Sequence, residues 1–99
     1  MVDSMDELVD RVQRQVYRMR DLHDQLTRIR EREASEDDAM TVEVDGNGAM
    51  TALEFSDAVT RMTPDGFESA LVATAAAAAA SAFARRAQLI EEFNAEVAR

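Results

Sequence analysis

The 99-residue chain predicts an α+β fold: a long N-terminal helix, a small antiparallel β-sheet built on a hairpin, a short helix or turn, and a long C-terminal helix. Three observations predict it. Apolar residues recur with a helical period up to Ile29 and again after Thr63; the period drops to two only between Met40 and Phe55; and Gly46 and Gly48 fall inside that short stretch, where a hairpin must reverse. A chain of this length is expected to form one domain, residues 1–99, which buries only a limited fraction of its surface, so dimerisation is expected as well.

The first helix is expected to start at Ser4-Met5-Asp6-Glu7, a capping box in which the Ser4 hydroxyl accepts from the Glu7 amide and the Glu7 carboxylate reaches back to Ser4. Met5, Leu8, Val12, Gln15, Met19, Leu22, Leu26 and Ile29 then step by three and four residues. That is a heptad seam, widened by Val9 and Val16, with Gln15 as the polar member that fixes register. A helix carried through Ile29 would run about 45 Å at the standard rise. An arm that long needs a partner along its length, and Val12, Met19, Leu22 and Leu26 are the residues expected to pack against it.

Residues 33–38, Glu-Ala-Ser-Glu-Asp-Asp, end the helical period and are expected to form an acidic loop with a short extra strand near it. In the first hairpin strand Met40, Val42 and Val44 share one face and Thr41, Glu43 and Asp45 the other. The turn Asp45-Gly46-Asn47-Gly48 supplies residues that tolerate positive φ. Thr51, Leu53 and Phe55 alternate with Met50, Ala52 and Glu54 on the way back, so one face of the hairpin is expected to be apolar. Ser56 to Met62 form the short helix or turn, anchored by Val59 and Met62. Thr63-Pro64-Asp65 starts the last helix, with threonine as cap and proline at the first helical position. Along it Phe67, Leu71, Ala75 and Ala78, then Phe83, Ala87, Ile90, Phe93 and Val97, are expected to face inward. The alanine block 75–80 predicts close backbone approach to another helix or to the sheet. Val42, Val44, Leu53, Phe55, Phe83 and Ile90 complete the expected packing set.

Composition excludes several classes of function. Without cysteine there is no disulfide, thiolate metal site or thiol nucleophile. The N-terminal acids do not resemble a secretory signal, which predicts a cytoplasmic location. The stretch 70–84 is interrupted by Thr74 and Ser81 and is followed by Arg85 and Arg86; it is expected to be too short and too weakly apolar to span a bilayer, which predicts a soluble protein without a membrane partner. Net charge is −9, from 20 acids and 11 arginines, with no lysine. Such a field repels nucleic acid at long range. The charge is uneven, however: residues 1–33 hold seven arginines against eight acids, and residues 34–69 hold nine acids against Arg61 alone.

No catalytic constellation emerges. His23, the single histidine, flanks the heptad seam and is expected on the surface. No carboxylate pair sits in an apolar setting that would separate two pKa values. Asp45-Gly46-Asn47-Gly48 begins like a calcium loop, but Met50 and Ser56 stand where that loop needs glycine and glutamate, and no lysine follows to make a phosphate loop. The expectation is a protein that is not an enzyme and has no cofactor, metal or small-molecule substrate. Association surfaces remain. Arg11, Arg14 and Arg18 form a basic stripe at i, i+3 and i+7, and Arg28 and Arg32 a second cluster near the end of the helix. Asp10, Asp21, Asp24 and Glu31 offer them ion-pair partners, giving a solvated, charge-laced face; the functional alternative is phosphate contact, helped by Arg85, Arg86 and Arg99. If the two long helices pack antiparallel, these arginines share one arm, and a two-fold dimer presents matching patches.

The order long helix, Met40-Thr-Val-Glu-Val-Asp-Gly-Asn-Gly, Ala-Met-Thr-Ala-Leu-Glu-Phe55, turn and alanine-rich helix resembles the YbaB/EbfC family of small bacterial nucleoid-associated proteins over nearly the whole chain. The most specific part is the Val-Glu-Val-x-Gly-x-Gly hairpin, with its second strand running into Phe55-Ser56-Asp57. The resemblance implies a homodimer with a compact sheet core and helical arms, shaped like tweezers, that binds double-stranded DNA with little sequence preference in the bacterial nucleoid. The chain departs from the typical member in having Ser35-Glu36-Asp37-Asp38-Ala39 where a glycine-rich segment is common, and in having no lysine. An actinobacterial branch of the same fold is similar in the acidic lead into Thr-Val-Glu-Val and is associated with type VII (ESX) secretion loci. That similarity implies the alternative: an acidic adaptor or regulatory accessory protein that holds a protein partner.

Overall fold

The computed structural model describes residues 2–98. Helix α1 spans Val2–Thr27, strands β1, β2 and β3 span Arg30–Ala34, Met40–Asp45 and Met50–Phe55, a single 3-10 turn covers Asp57–Arg61, and helix α2 runs from Pro64 to Val97. The molecule is elongated, 75 × 18 × 15 Å. The three strands form one antiparallel sheet in the order β1-β2-β3, so β2 is central. Val42 stands opposite Glu33 on one side and Leu53 on the other. The extra residue that breaks the register between β2 and β3 lies beside Glu43 and Val44.

The core is small and centred on β2. Val42 and Val44 are fully enclosed and pack with Ile29, Ala78, Ala82 and Leu89, while Leu22, Leu26, Leu71 and Ala75 close its edges. Alternation along β2 fixes this arrangement: every second residue is buried and its neighbours are half-exposed. Each enclosed valine contributes about 1.5–3 kcal/mol of burial. Ala78 and Ala82 are completely buried because a methyl group is all that fits where α2 crosses the sheet. The alanine block therefore presses on the sheet.

Local signals hold at the start of α2 and at the hairpin. The Thr63 hydroxyl accepts from the Gly66 amide at 3.0 Å, with Pro64 in the first turn. Asp45 carries the reversal: its carboxylate accepts from the amides of Asn47 (2.9 Å) and Ala49 (3.1 Å), and its carbonyl accepts from the Gly48 amide at 3.0 Å. Of the two turn glycines, Gly48 takes a positive φ, 81°, while Gly46 gives room, since a Cβ there would lie 3.0 Å from the Leu26 carbonyl oxygen.

Four expectations are corrected. Helix α1 already includes Val2, so Ser4 lies inside it and the capping box does not mark its start. The helix ends at Thr27, not beyond Ile29: the Arg28 amide closes on the Asp24 carbonyl, and Ile29 turns inward as a core residue, 5% exposed. The chain then alternates Arg-Glu-Arg-Glu as β1, which carries Arg32 from the helix onto the sheet. The acidic loop expected after β1 is present, with β1 as the extra strand beside it; it is a tight turn that leaves Glu36, Asp37 and Asp38 exposed. Ser35 donates to Asp37 at 2.8 Å and accepts from the Met40 amide at 3.1 Å, and Asp38 takes a positive φ of 54°.

The returning strand and the last helix hold the other two. Leu53 and Phe55 face the same side as Val42, but α2 lies over β1 and β2, leaving them 37% and 51% exposed. Phe55 meets Phe67 with ring centroids 5.5 Å apart. Phe83 is likewise half-exposed, its ring edge lying over Gly48, while Ile90 is half-buried. The alanine-rich stretch also does not stand alone. It continues into a 34-residue helix containing 18 residues long and apolar enough to cross a bilayer by length and composition, of which only 17% are buried.

Candidate nucleic-acid interface

The basic stripe rides on the part of α1 that projects from the body. Arg11, Arg14 and Arg18 sit one residue before the seam positions Val12, Gln15 and Met19, hence about a quarter turn around the helix from them. All three are exposed, and with about 1.5 Å of rise per residue they span roughly 10 Å along the axis. Among the described residues the salt bridges are those of Arg32, to Glu43 at 3.2 Å and to Glu54 at 2.8 Å. The stripe forms no ion pair with the acids interspersed with it among the described residues. Three exposed cations at helical spacing can meet successive oxyanions laid along the helix.

Arg32 has the opposite fate. It crosses the open face of the sheet between two glutamates, whose hydrogen bonds and charge raise its pKa, Glu54 foremost. Glu43 is held below the usual carboxylate range, first by the Thr51 hydroxyl at 2.6 Å and then by Arg32. The second cluster expected from Arg28 and Arg32 near the end of a continuous helix falls beyond it: α1 ends at Thr27, leaving Arg28 in the turn and Arg32 in β1.

Arg85 and Arg86 stand at the root of the arm. Helices α1 and α2 pack against each other there, near Leu22, Leu26 and Leu89. Arg85 donates to Gln88 at 3.2 Å and shares a shallow groove with Gln25, Arg28 and Glu31. Arg86 reaches across to Asn47 Oδ1 at 3.4 Å. The five candidate arginines therefore divide into an outer set on α1 and an inner pair on α2. Arg18 is about 12 Å of helix away from Leu26 and Arg11 about 22 Å. Arg99 lies outside the described residues. His23 is exposed, as expected.

The apolar seam beside the stripe is equally uncovered. Met5, Leu8, Val9, Val12, Val16, Tyr17 and Met19 are each at least 40% exposed, and only from Leu22 inward does the seam find cover in its own chain. Among the described residues no group of three or more histidine, aspartate or glutamate side chains is arranged to hold a metal ion.

Two residues at the inner end went unnoticed in the sequence. Arg30 counts there as one more helical arginine, and Asn47 only as a turn residue. Nothing in the linear chain signals that Asn47 meets Arg86, 39 positions away.

Comparison with known proteins gives one match. Residues 1–97 match the family model described as the YbaB/EbfC DNA-binding family. No curated protein and no solved structure matches the chain.

Proposed function

From the premise that this chain belongs to the YbaB/EbfC DNA-binding family, we propose that it is a homodimeric nucleoid-associated protein that binds double-stranded DNA with little sequence preference. Arg11, Arg14 and Arg18 on the arm and Arg85 and Arg86 at its root contact phosphates. The observation that carries this proposal is the exposed α1 stripe: three arginines at helical spacing that form no salt bridge among the described residues. Long-range repulsion from a net charge of −9 is screened over about 8 Å at physiological ionic strength, so local cations govern close contact. Phosphate contact without base readout fits low sequence preference.

The second copy is supported by uncovered apolar surface. The α1 seam through Val12 and Met19, the half-exposed Leu53 and Phe55 at the sheet edge, and Val72 and Phe83 on α2 are the apolar side chains that a second copy would cover. A nucleoid location in the cytoplasm follows from DNA binding.

The test is fluorescence anisotropy of labelled duplexes across a salt series. Affinity should fall steeply with salt, differ little between unrelated duplexes, and drop when Arg11, Arg14 and Arg18 are replaced by glutamate. Micromolar protein that leaves duplex DNA unbound at low ionic strength would refute it. The acid surplus and the open seam support a second proposal, an acidic adaptor or accessory protein of a type VII (ESX) system that holds a protein partner instead of DNA. Absence of DNA binding together with a stoichiometric complex with one defined polypeptide would favour it.

A further inference from the structure

A cleft of about 370 Å³ opens where the end of α1, the β2–β3 turn and α2 meet, inward of the arginine stripe. Its lining gathers His23 from α1, Arg30 from the start of β1, Asp45, Gly46 and Asn47 from the turn, and Arg86 from α2. Gly46 lets the turn lie close against the end of α1: a Cβ there would stand 3.0 Å from the Leu26 carbonyl oxygen and 3.3 Å from Ile29 Cδ1, tighter than ordinary contact.

The charges in this wall are held but not neutralised. Arg30 donates from one nitrogen, Nη1, to the carbonyls of Ile29 (2.6 Å) and Thr27 (3.3 Å), which pins its guanidinium at a helix C-terminus, where the dipole favours a cation. Arg86 reaches only the neutral Asn47 amide oxygen, at the long distance of 3.4 Å. Neither arginine forms a salt bridge among the described residues. Asp45, which stands opposite Arg30 in the β1–β2 register, is the one carboxylate in the lining; its Oδ1 accepts from the amides of Asn47 and Ala49, and against the two arginines it leaves the lining with a positive balance. Glu43, on the open sheet face, feels the charge of Arg30 but is itself bonded to Thr51 and Arg32.

Two guanidinium groups fixed from separate elements around a polar recess, with an amide and an imidazole beside them, form a donor set suited to a tetrahedral oxyanion. We propose that this cleft binds one phosphoryl group, a phosphate of the DNA backbone seated at the root of the arm, with the guanidinium groups of Arg30 and Arg86 as its main donors and the Asn47 amide and the His23 ring beside them. The source of the phosphate rests on the proposed DNA-binding function; the chemistry does not, since a free phosphate compound would meet the same donors.

Two measurements on wild type, R30Q/R86Q and R30K/R86K test it. In the first, amide resonances are followed while sodium pyrophosphate is added at constant ionic strength. Gly46 and Asn47 should shift saturably in wild type and not in the glutamine variant. In the second, duplex anisotropy across a salt series should show the glutamine variant binding several-fold more weakly, with a salt slope lower by about 1, the loss of one phosphate contact. The lysine variant should recover the slope but not the full affinity, because an ammonium cannot bond bidentately. Unresponsive wild-type amides, or a folded R30Q/R86Q that binds duplex with wild-type affinity and slope, would overturn the proposal. Saturable pyrophosphate binding without duplex binding would defeat the DNA function and leave the cleft as a site for a free phosphate compound. Should R30Q/R86Q fail to fold by circular dichroism, N47A and H23A carry the same comparison, each weakening pyrophosphate binding if the cleft is the site.

Discussion

The outer half of α1 and the strand β2 are both rich in valine and methionine, yet every described side chain of α1 out to Arg20 is exposed, while Met40, Val42 and Val44 are almost completely buried. The same residue types lie in water in one place and in a core in the other. What differs is what lies opposite: β2 has strands on both sides and α2 above it, whereas the arm has nothing from its own chain beyond Leu22. An isolated helix of some twenty residues is marginal without a packed face. The body of the molecule accounts for its own order, and the arm requires cover from elsewhere.

The sharpest way to break this contrast is to place the same charge in both regions. Val42→Asp buries a carboxylate at a position without exposure and should abolish cooperative folding, read as loss of the far-ultraviolet helical signal. Val12→Asp should leave the urea midpoint of the body unchanged at high dilution and remove the concentration dependence of the melt instead. Gly48→Val comes next, because valine would have to take φ near 81° and its Cβ would start 2.8 Å from the Phe83 ring. A loss of about 2–3 kcal/mol in urea unfolding is expected. Ser35→Ala removes the hydroxyl that the buried Met40 amide donates to, and should cost about 1–2 kcal/mol.

A pH series sharpens the contrast more gently. Asp37 is held below its ordinary carboxylate value by the Ser35 hydroxyl and the Ala39 amide, and Glu43 by the Thr51 hydroxyl and Arg32. Both ionise more readily folded than unfolded, so their contribution is complete above the unfolded values, about pH 4, and is lost as pH falls through the lowered native ones. Urea midpoints at pH 7 and pH 3 should differ less in S35A/T51A than in wild type. The smallest effect belongs to Arg32→Gln, whose pairs are screened by solvent, so the variant's urea midpoint should stay close to that of wild type at both pH values.

Much of this fold was legible in the chain. The switch of apolar period located the hairpin, Thr63-Pro64 marked the start of α2, and the alternation of Met40, Val42 and Val44 identified the core strand. What the chain hid were events decided by tertiary contact. Ile29 continues the heptad by spacing, but the core competes for it and ends the helix two residues earlier. Leu53 and Phe55 alternate correctly, yet which half of the sheet α2 covers is not written in the period of β3. The arginine stripe was visible because helical spacing places its members on one face. Its lack of ion-pair partners was not, and neither was the cleft of Arg30, Asn47 and Arg86, whose members meet only when three distant segments pack together.

The claim that the arm borrows its order is tested most directly by hydrogen exchange measured at two protein concentrations, with light scattering on the same samples. Amides of residues 5–19 should be protected in the concentrated sample and exchange rapidly on dilution, while those of Val42 and Val44 stay protected in both. Protection of residues 5–19 equal to that of the core strand, in a sample that scatters as a single chain, would contradict it.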